Sequence, residues 1–302
     1  MNILITGGTG LIGSAFMRHF CDYEFTLLTR FPEEARTSLP ASVKIIESLG
    51  ALNNLDSFNA VINLAGEPIV GRRWGKKQKE ILCQSRWQTT QRLADLFASS
   101  RNPPDVFLSG SAIGVYGNRG DELLDEDATL SELDFSSMLC IRWETMARQA
   151  DPYTRVVLLR TGIVLAPQGG ALKKMLLPFR LCLGGPFGNG RQYMSWIHYM
   201  DYIRSMNFLL SARHLTGAVN LVGPHAESNR VFAQSLARSL HRPAALSIPA
   251  PFLQLILGES SSLLLDSQRV VPRKLLESGF EFQFPELMPA LVDLVNEKKV
   301  AE

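Results

Sequence analysis

The chain has 302 residues, enough for one large domain or for a main domain with a smaller companion. Hydrophobic residues make up 46% and charged residues 20%, a globular balance with ample material for a core. The formal net charge of +2 is too small to argue for nucleic acid or a membrane surface as a partner.

In chain order, NILIT is a short apolar run followed by a glycine cluster and then by GSAFMRHF with helical spacing: strand, turn, helix. FTLLT and VKII read as strands, and AVINLAG as a strand ending on glycine. The run GRRWGKKQKE at 71 to 80 is the one dense basic stretch, and it reads as a solvated loop and helix start. A helix covers KKQKEILCQSR and continues or restarts through WQTTQRLADLFASS until the Asn-Pro-Pro breaker. DVFLSGSA returns to strand, FSSMLCIRWETMARQA is a helix, and TRVVLLRTGIVLA reads as one further strand. Strands alternating with helices of this length predict βαβ units, a doubly wound parallel sheet and right-handed crossovers.

After Pro167 the character changes. GGPFGNGRQ is turn-rich, and helices follow around MDYIRSMNFLLSA and NRVFAQSLARSL. The expected organisation is a nucleotide-binding core over 1–167, with strands from about 190–225 returning to its sheet. Residues 168–302 are expected to build a smaller mixed lobe, including a short extra domain at about 246–295. Cys21, Cys83, Cys140 and Cys182 are scattered without C-x-x-C or histidine spacing suited to zinc, so no metal site is expected. With no signal peptide legible, they predict reduced thiols in a cytoplasmic protein. LQLILG and SLLLD are far shorter than the ~20 residues that span a bilayer, so no membrane partner is expected.

ITGGTGLIG carries the first chemistry. Gly7, Gly10 and Gly13 stand in G-x-x-G-x-x-G spacing, after a strand and at the opening of a helix, which is the context a dinucleotide diphosphate requires. One glycine permits the tight turn, Gly10 lets the backbone approach the diphosphate, and Gly13 allows helix to pack on strand. The backbone through Thr9, Leu11 and Ile12 is expected to line the same cofactor. At the end of the second strand, LLTR offers Thr29 and Arg30 where a carboxylate would meet a free ribose. A guanidinium suits a phosphate dianion, so NADP(H) is expected in preference to NAD(H).

With ITGGTGLIG, NLAG at 63 to 66 and SGSAIGVYG at 109 to 117 in this order, the chain resembles an extended short-chain dehydrogenase/reductase. GNGRQYMSWIHYMDYI at 188 to 203 and GAVNLVGP at 217 to 224 support the likeness. NLAGEPI, RRW, CQSRW, LLPFRLCLGGPFGNGRQ and VPRKLLESGFEFQFPEL narrow it. They resemble an epimerase-family subgroup with a short extra C-terminal domain, related to a vertebrate short-chain reductase of unknown substrate. The resemblance implies a Rossmann fold, NADP binding and a substrate lobe. By position it implies that Leu64, Ala65 and Gly66 lie under the adenosine half of the cofactor and that Arg86 borders the cleft. It also implies that RTGIVLAP, with Thr161 and Gly162, passes beside the nicotinamide.

The same likeness exposes a gap. In the superfamily a serine polarises the substrate oxygen, a tyrosine moves the proton, and a lysine four residues on lowers the phenol's pKa. Ser111 matches the serine. Registered on Glu144, however, the helix carries Ser136 in the tyrosine slot and Cys140 in the lysine slot. Tyr116 in VYG is the candidate relocated acid, beside Ser111, with His198 either contributing or serving as a structural hydrogen-bond partner. Arg191 and Gln192, after the glycine-rich turn, are candidate substrate contacts, and Asp201 is expected to cap a helix or bind backbone. These readings describe an NADP(H)-dependent oxidoreductase, monomeric or homodimeric, acting on a small molecule such as a nucleotide-sugar or other carbonyl compound. The alternative is a protein that binds NADP(H) without turnover, as a sensor or partner-binding module.

Overall fold

The computed structural model describes residues 1–244 and 246–300. Ala245, Ala301 and Glu302, which fall in the segment expected to build the lobe, lie outside the described residues. Strands β1 (Asn2–Thr6), β2 (Glu24–Leu28), β3 (Lys44–Ile46), β4 (Ala60–Asn63) and β5 (Val106–Ala112) alternate with helices α1 (Leu11–His19), α2 (Pro32–Ser38) and α3 (Lys76–Ser99). The two-residue strand β6 (Leu123–Leu124) and helix α4 (Phe135–Ala147) lead to β7 (Arg155–Thr161). Beyond it come β8 (Ile163–Leu165), α5 (Gly170–Arg180), β9 (Tyr193–Met194), β10 (Trp196–His198), α6 (Tyr199–Ser211), β11 (Gly217–Leu221), β12 (Glu227–Ser228) and α7 (Asn229–Ser239). Last are α8 (Ala250–Leu257), α9 (Ser262–Leu265), β13 (Arg269–Val270), α10 (Arg273–Glu277) and α11 (Leu287–Val300).

Seven strands form one sheet in the order β11-β7-β5-β4-β1-β2-β3. All its pairings are parallel. Because both faces are covered by helices, the central strands are mainly apolar, with polar residues such as Thr6, Asn63, Ser111 and Arg160 towards their C-terminal ends, and successive residues feed opposite layers. Ile3, Ile5, Ile62 and Leu108 join Phe16 and Met17 of α1 and Ile203 and Met206 of α6 in one core cluster. Leu4, Val61 and Phe107 join Leu93, Leu96 and Phe97 of α3 in the other. This is the expected Rossmann-type α/β fold. Strand order reverses between β1 and β4, the switch point at which such sheets bind ligands.

Two expectations for the later chain need correction. The run from 154 to 166 holds two strands, broken at Gly162. The Gly162 amide donates to Leu221 O, and a Cβ there would lie 2.6 Å from Ser195 O and from Val222 Cγ1. β8 therefore leaves the main sheet and pairs with β10. Of residues 190–225, only β11 joins the seven-stranded sheet, since β9 pairs with β12. The C-terminal segment is laced back onto the earlier chain: β13 pairs with β6, and Asn220 Nδ2 of β11 donates to Val271 O at 3.0 Å.

Candidate functional site

β1 delivers its glycine loop to the switch point. Gly7 has φ +69°, and a Cβ on it would run into the Leu64 backbone just past β4, so the loop and the end of β4 touch through bare backbone. A Cβ on Gly13 would come within 2.5 Å of Gly8 Cα, which fixes how closely α1 sits on the turn. Gly10 is the N-cap of α1 and offers no side-chain cap, so the first amides, from Leu11 onward, remain available to an anion. Thr9 and Gly10 are exposed, and Leu11 and Ile12 are half-buried, Ile12 with its side chain against the core. This is a cradle that side chains would fill, and it fits a dinucleotide diphosphate.

At the end of β2 the two predicted residues separate. Thr29 is buried, and its hydroxyl accepts from the Phe31 amide at 3.1 Å, so it shapes the turn. Arg30 is exposed, with its guanidinium 5.7 Å from the Phe31 ring centroid.

Leu64 and Ala65 are half-buried and Gly66 is exposed, continuing the accessible edge from β4. They are braced by residues that the sequence reading passed over. Asn63 Oδ1 accepts from Thr6 Oγ1 at 2.6 Å and from the Ala65 amide at 3.3 Å, while its Nδ2 donates to Thr90 Oγ1 at 2.7 Å. Thr90 also accepts from Trp143 Nε1 at 2.8 Å and donates to Arg86 O at 2.8 Å, which uses its full hydrogen-bonding capacity. A polar side chain on the apolar face of a helix was the one available signal. Arg86 lies directly under Gly66, whose added Cβ would be 3.0 Å from Arg86 Cζ. Its guanidinium donates to Glu67 O at 3.0 Å and Leu82 O at 3.1 Å and stands over Trp143.

Helix α4 begins on a capping box: Asp134 accepts from the Ser137 amide at 2.9 Å, and Ser137 Oγ accepts in return from the Asp134 amide. That cap sets the register of Ser136, half-buried near Gly114, and of Cys140, buried. Burial pushes the Cys140 thiol up to about 12, although Arg86 works in the other direction. The Arg86 charge thus reaches Cys140 from another helix.

Ser111 and Tyr116 belong to one buried network. Ser111 Oγ donates to Glu144 Oε1 at 2.7 Å, and Arg160 grips both Glu144 oxygens at 2.9 and 3.0 Å. Arg160 also donates to the Tyr116 hydroxyl at 2.9 Å, and Tyr116 donates to Asn220 Oδ1 at 2.7 Å. Burial opposes the Arg160 charge, but Glu144 and Tyr116 hold it above the ordinary guanidinium value. Tyr116 is 0% exposed, and burial pushes its phenol up to about 12 despite Arg160. The expectation of Tyr116 as a relocated acid is therefore corrected: its hydroxyl is shut away from solvent and bonded on both sides.

The remaining predicted residues also resolve. Thr161 Oγ1 donates to Leu159 O at 3.0 Å and lies 2.9 Å from Tyr202 OH, and Gly162 is packed as described, so both shape the strand break. His198 is structural: Nδ1 accepts from the Met200 amide at 3.1 Å, and the ring stacks on Phe284. Burial lowers its pKa to about 4. Asp201 accepts from the Gln283 and Phe284 amides at 2.7 and 2.8 Å, the backbone role expected of it. Gln192 is buried, and its Nε2 donates to Phe187 O at 3.1 Å and Leu264 O at 2.9 Å, so it braces loops and faces no substrate. Arg191 is exposed. Among the described residues no cluster of three His, Cys, Asp or Glu could hold a metal, and no helix is long and apolar enough to cross a membrane.

Comparison with known proteins adds a framework. Residues 3–223 match the NAD dependent epimerase/dehydratase family, and residues 248–294 match a domain of unknown function, DUF1731. The mouse epimerase family protein SDR39U1 is 39% identical over 98% of this chain and 100% of its own length. The crystal structure of human SDR39U1 (isoform 2) with NADPH superposes with a TM-score of 0.90 at 36% identity, covering 98% of this chain and 99% of that one. A nucleoside-diphosphate sugar epimerase from Corynebacterium glutamicum superposes at 0.76 with 26% identity, covering 100% of this chain and 61% of that one.

Proposed function

The chain belongs to the NAD dependent epimerase/dehydratase family, and on that premise we propose that it is an NADP(H)-binding oxidoreductase working without the Tyr-x-x-x-Lys pair. One observation carries the cofactor choice: a free guanidinium, Arg30, ends β2 where a carboxylate would repel a ribose 2′-phosphate. The NADPH in the human SDR39U1 structure supports the same choice.

In this reading the amides from Gly10 through Ile12 hold the diphosphate, with Gly7, Thr9 and Gly13 giving it room. Arg30 takes the 2′-phosphate, and Leu64, Ala65 and Gly66 lie along the adenosine half. Arg86 stands in for the missing lysine, its charge reaching Cys140 from across the groove between α3 and α4. When bound, the cofactor supplies or takes up a hydride at its nicotinamide ring. Ser111 and Tyr116 stay in the core and hold Glu144 and Arg160 in place. The reading includes a cytosolic location, supported by four unpaired cysteine thiols.

A second reading has a specific observation behind it. The hydroxyl expected to polarise the substrate, on Ser111, and the one expected to move the proton, on Tyr116, are committed to Glu144, Arg160 and Asn220, which favours a chain that binds NADP(H) without turning it over. Fluorescence titration with NADPH and NADH tests the shared core of both: NADPH is expected to bind at least tenfold tighter, and failure of either dinucleotide to bind removes both readings. Consumption of bound NADPH across a carbonyl panel separates them, turnover supporting the enzyme and its absence the sensor.

A further inference from the structure

A cavity of about 280 Å³ lies between the segment that follows β4, helix α5 and the C-terminal segment. Ile69 and Val70 line it from the first, Met175 and Phe179 from the second, and Leu257 and Leu264 from the third. Its size is at the small end of the ~300–1,000 Å³ usual for small-molecule sites. It adjoins the cofactor edge, since Ile69 follows Gly66 by three residues. Ile69 and Leu263 share an apolar cluster with Phe135, the neighbour of Ser136 on α4.

The chemistry of the lining is one-sided. Among the described residues only two polar side chains line the cavity, and each makes one hydrogen bond within the protein. Lys174 Nζ donates to Val70 O at 3.1 Å, and Ser260 Oγ donates to Leu257 O at 2.9 Å. Gln192, which the sequence offered as a substrate contact, ties two lining residues, Phe187 and Leu264, from behind. Sugar hydroxyls entering here would exchange water for carbon, and the one cation among the described lining residues is the exposed Lys174, with two N–H donors left after its bond to Val70 O.

We propose, resting on the NADP(H) reading above, that this cavity binds a small, uncharged, mainly apolar ketone or aldehyde and does not accept a nucleoside-diphosphate sugar. Burying an apolar body here removes hydrocarbon from water, and the missing polar contacts act as selection against sugars.

The test is calorimetric titration of the full chain, with and without NADP⁺, using 2-nonanone and UDP-glucose as probes. The ketone is expected to bind at least tenfold tighter than UDP-glucose, with a negative heat-capacity change. Ile69→Asp is expected to weaken ketone binding at least tenfold while leaving NADP⁺ affinity within about twofold. Val70→Trp, at an exposed position of the lining, is expected to block the ketone by filling the space and serves if the aspartate variant fails to fold. Tighter binding of UDP-glucose, or ketone binding that neither substitution changes, overturns the proposal. Loss of NADP⁺ binding alone counts against the cofactor reading, and the ketone titration of the cofactor-free chain still decides the cavity.

Discussion

Ser111 and Glu144 share a buried hydrogen bond of 2.7 Å, and the same Glu144 oxygen accepts from Arg160 Nε at 2.9 Å. The serine that resembles a substrate-polarising hydroxyl therefore donates its proton to the carboxylate of the buried Glu144–Arg160 ion pair. Ser111→Ala is expected to cost about 1.5–3 kcal/mol of unfolding free energy, one hydrogen bond to a charged group, with Arg160 still pairing the carboxylate. Glu144→Ala is expected to cost about 3–5 kcal/mol, since it leaves a buried guanidinium without its counter-charge. Urea unfolding of both variants checks this, and a Ser111→Ala protein with wild-type stability contradicts the network.

Arg30→Ala is expected to weaken NADPH binding by roughly 10- to 100-fold, the loss of one or two charge-assisted hydrogen bonds, with NADH affinity nearly unchanged. Paired titrations of the two cofactors read the ratio directly. An equal loss for both would show that Arg30 does not meet the 2′-phosphate.

At Gly7 the demand is steric as well as conformational. With φ +69° and the Leu64 backbone in the path of any Cβ, Gly7→Ala is expected to lower stability by about 1–3 kcal/mol and to abolish dinucleotide binding. Thermal unfolding with and without NADPH checks both halves. The wild-type shift to higher Tm on adding cofactor should disappear in the variant.

Asp266 gives a pH signature. Burial, and then the charge of Asp134, raise its carboxyl from 3.8 to about 6. The folded protein thus holds this proton more tightly than the unfolded chain. The associated stability is present below pH 4, declines as pH rises through 6, and is gone above it. Asp266→Asn is expected to flatten that slope and to stabilise the protein by about 1–2 kcal/mol at pH 8, discounted for a half-exposed group. Denaturant melts at pH 4, 6 and 8 test it, and an unchanged slope would assign the effect to other groups.

Local rules carried much of the reading. Strand β1, the glycine turn and α1 are contiguous, so spacing alone specifies them, and the alternation of strands with helices specifies the parallel sheet. Of the candidate site, the tight glycine turn ahead of α1 and the exposure of Arg30 were legible. Tyr116 misled because its partner Asn220 is 104 residues away, and Gln192 because Leu264 is 72 residues away. A hydroxyl or amide looks equally free in sequence whether it meets a ligand or a distant backbone. Asn63 and Thr90 went unnoticed for the same reason: only the folded chain puts Thr6, Ala65 and Trp143 around them.

The pairing of β13 with β6 has a consequence for assembly. Strands β1 to β7 and helix α3 lie within the first 161 residues, while α6, β11 and Leu275 complete the other face of their sheet later. Leu257, Leu263 and Leu264, which wall the apolar cavity, reach it only once some 260 residues have been made and the tail has been stitched back across nearly half the polypeptide. During synthesis, therefore, the apolar walls contributed by α5 and by the segment after β4 wait uncovered until the tail arrives.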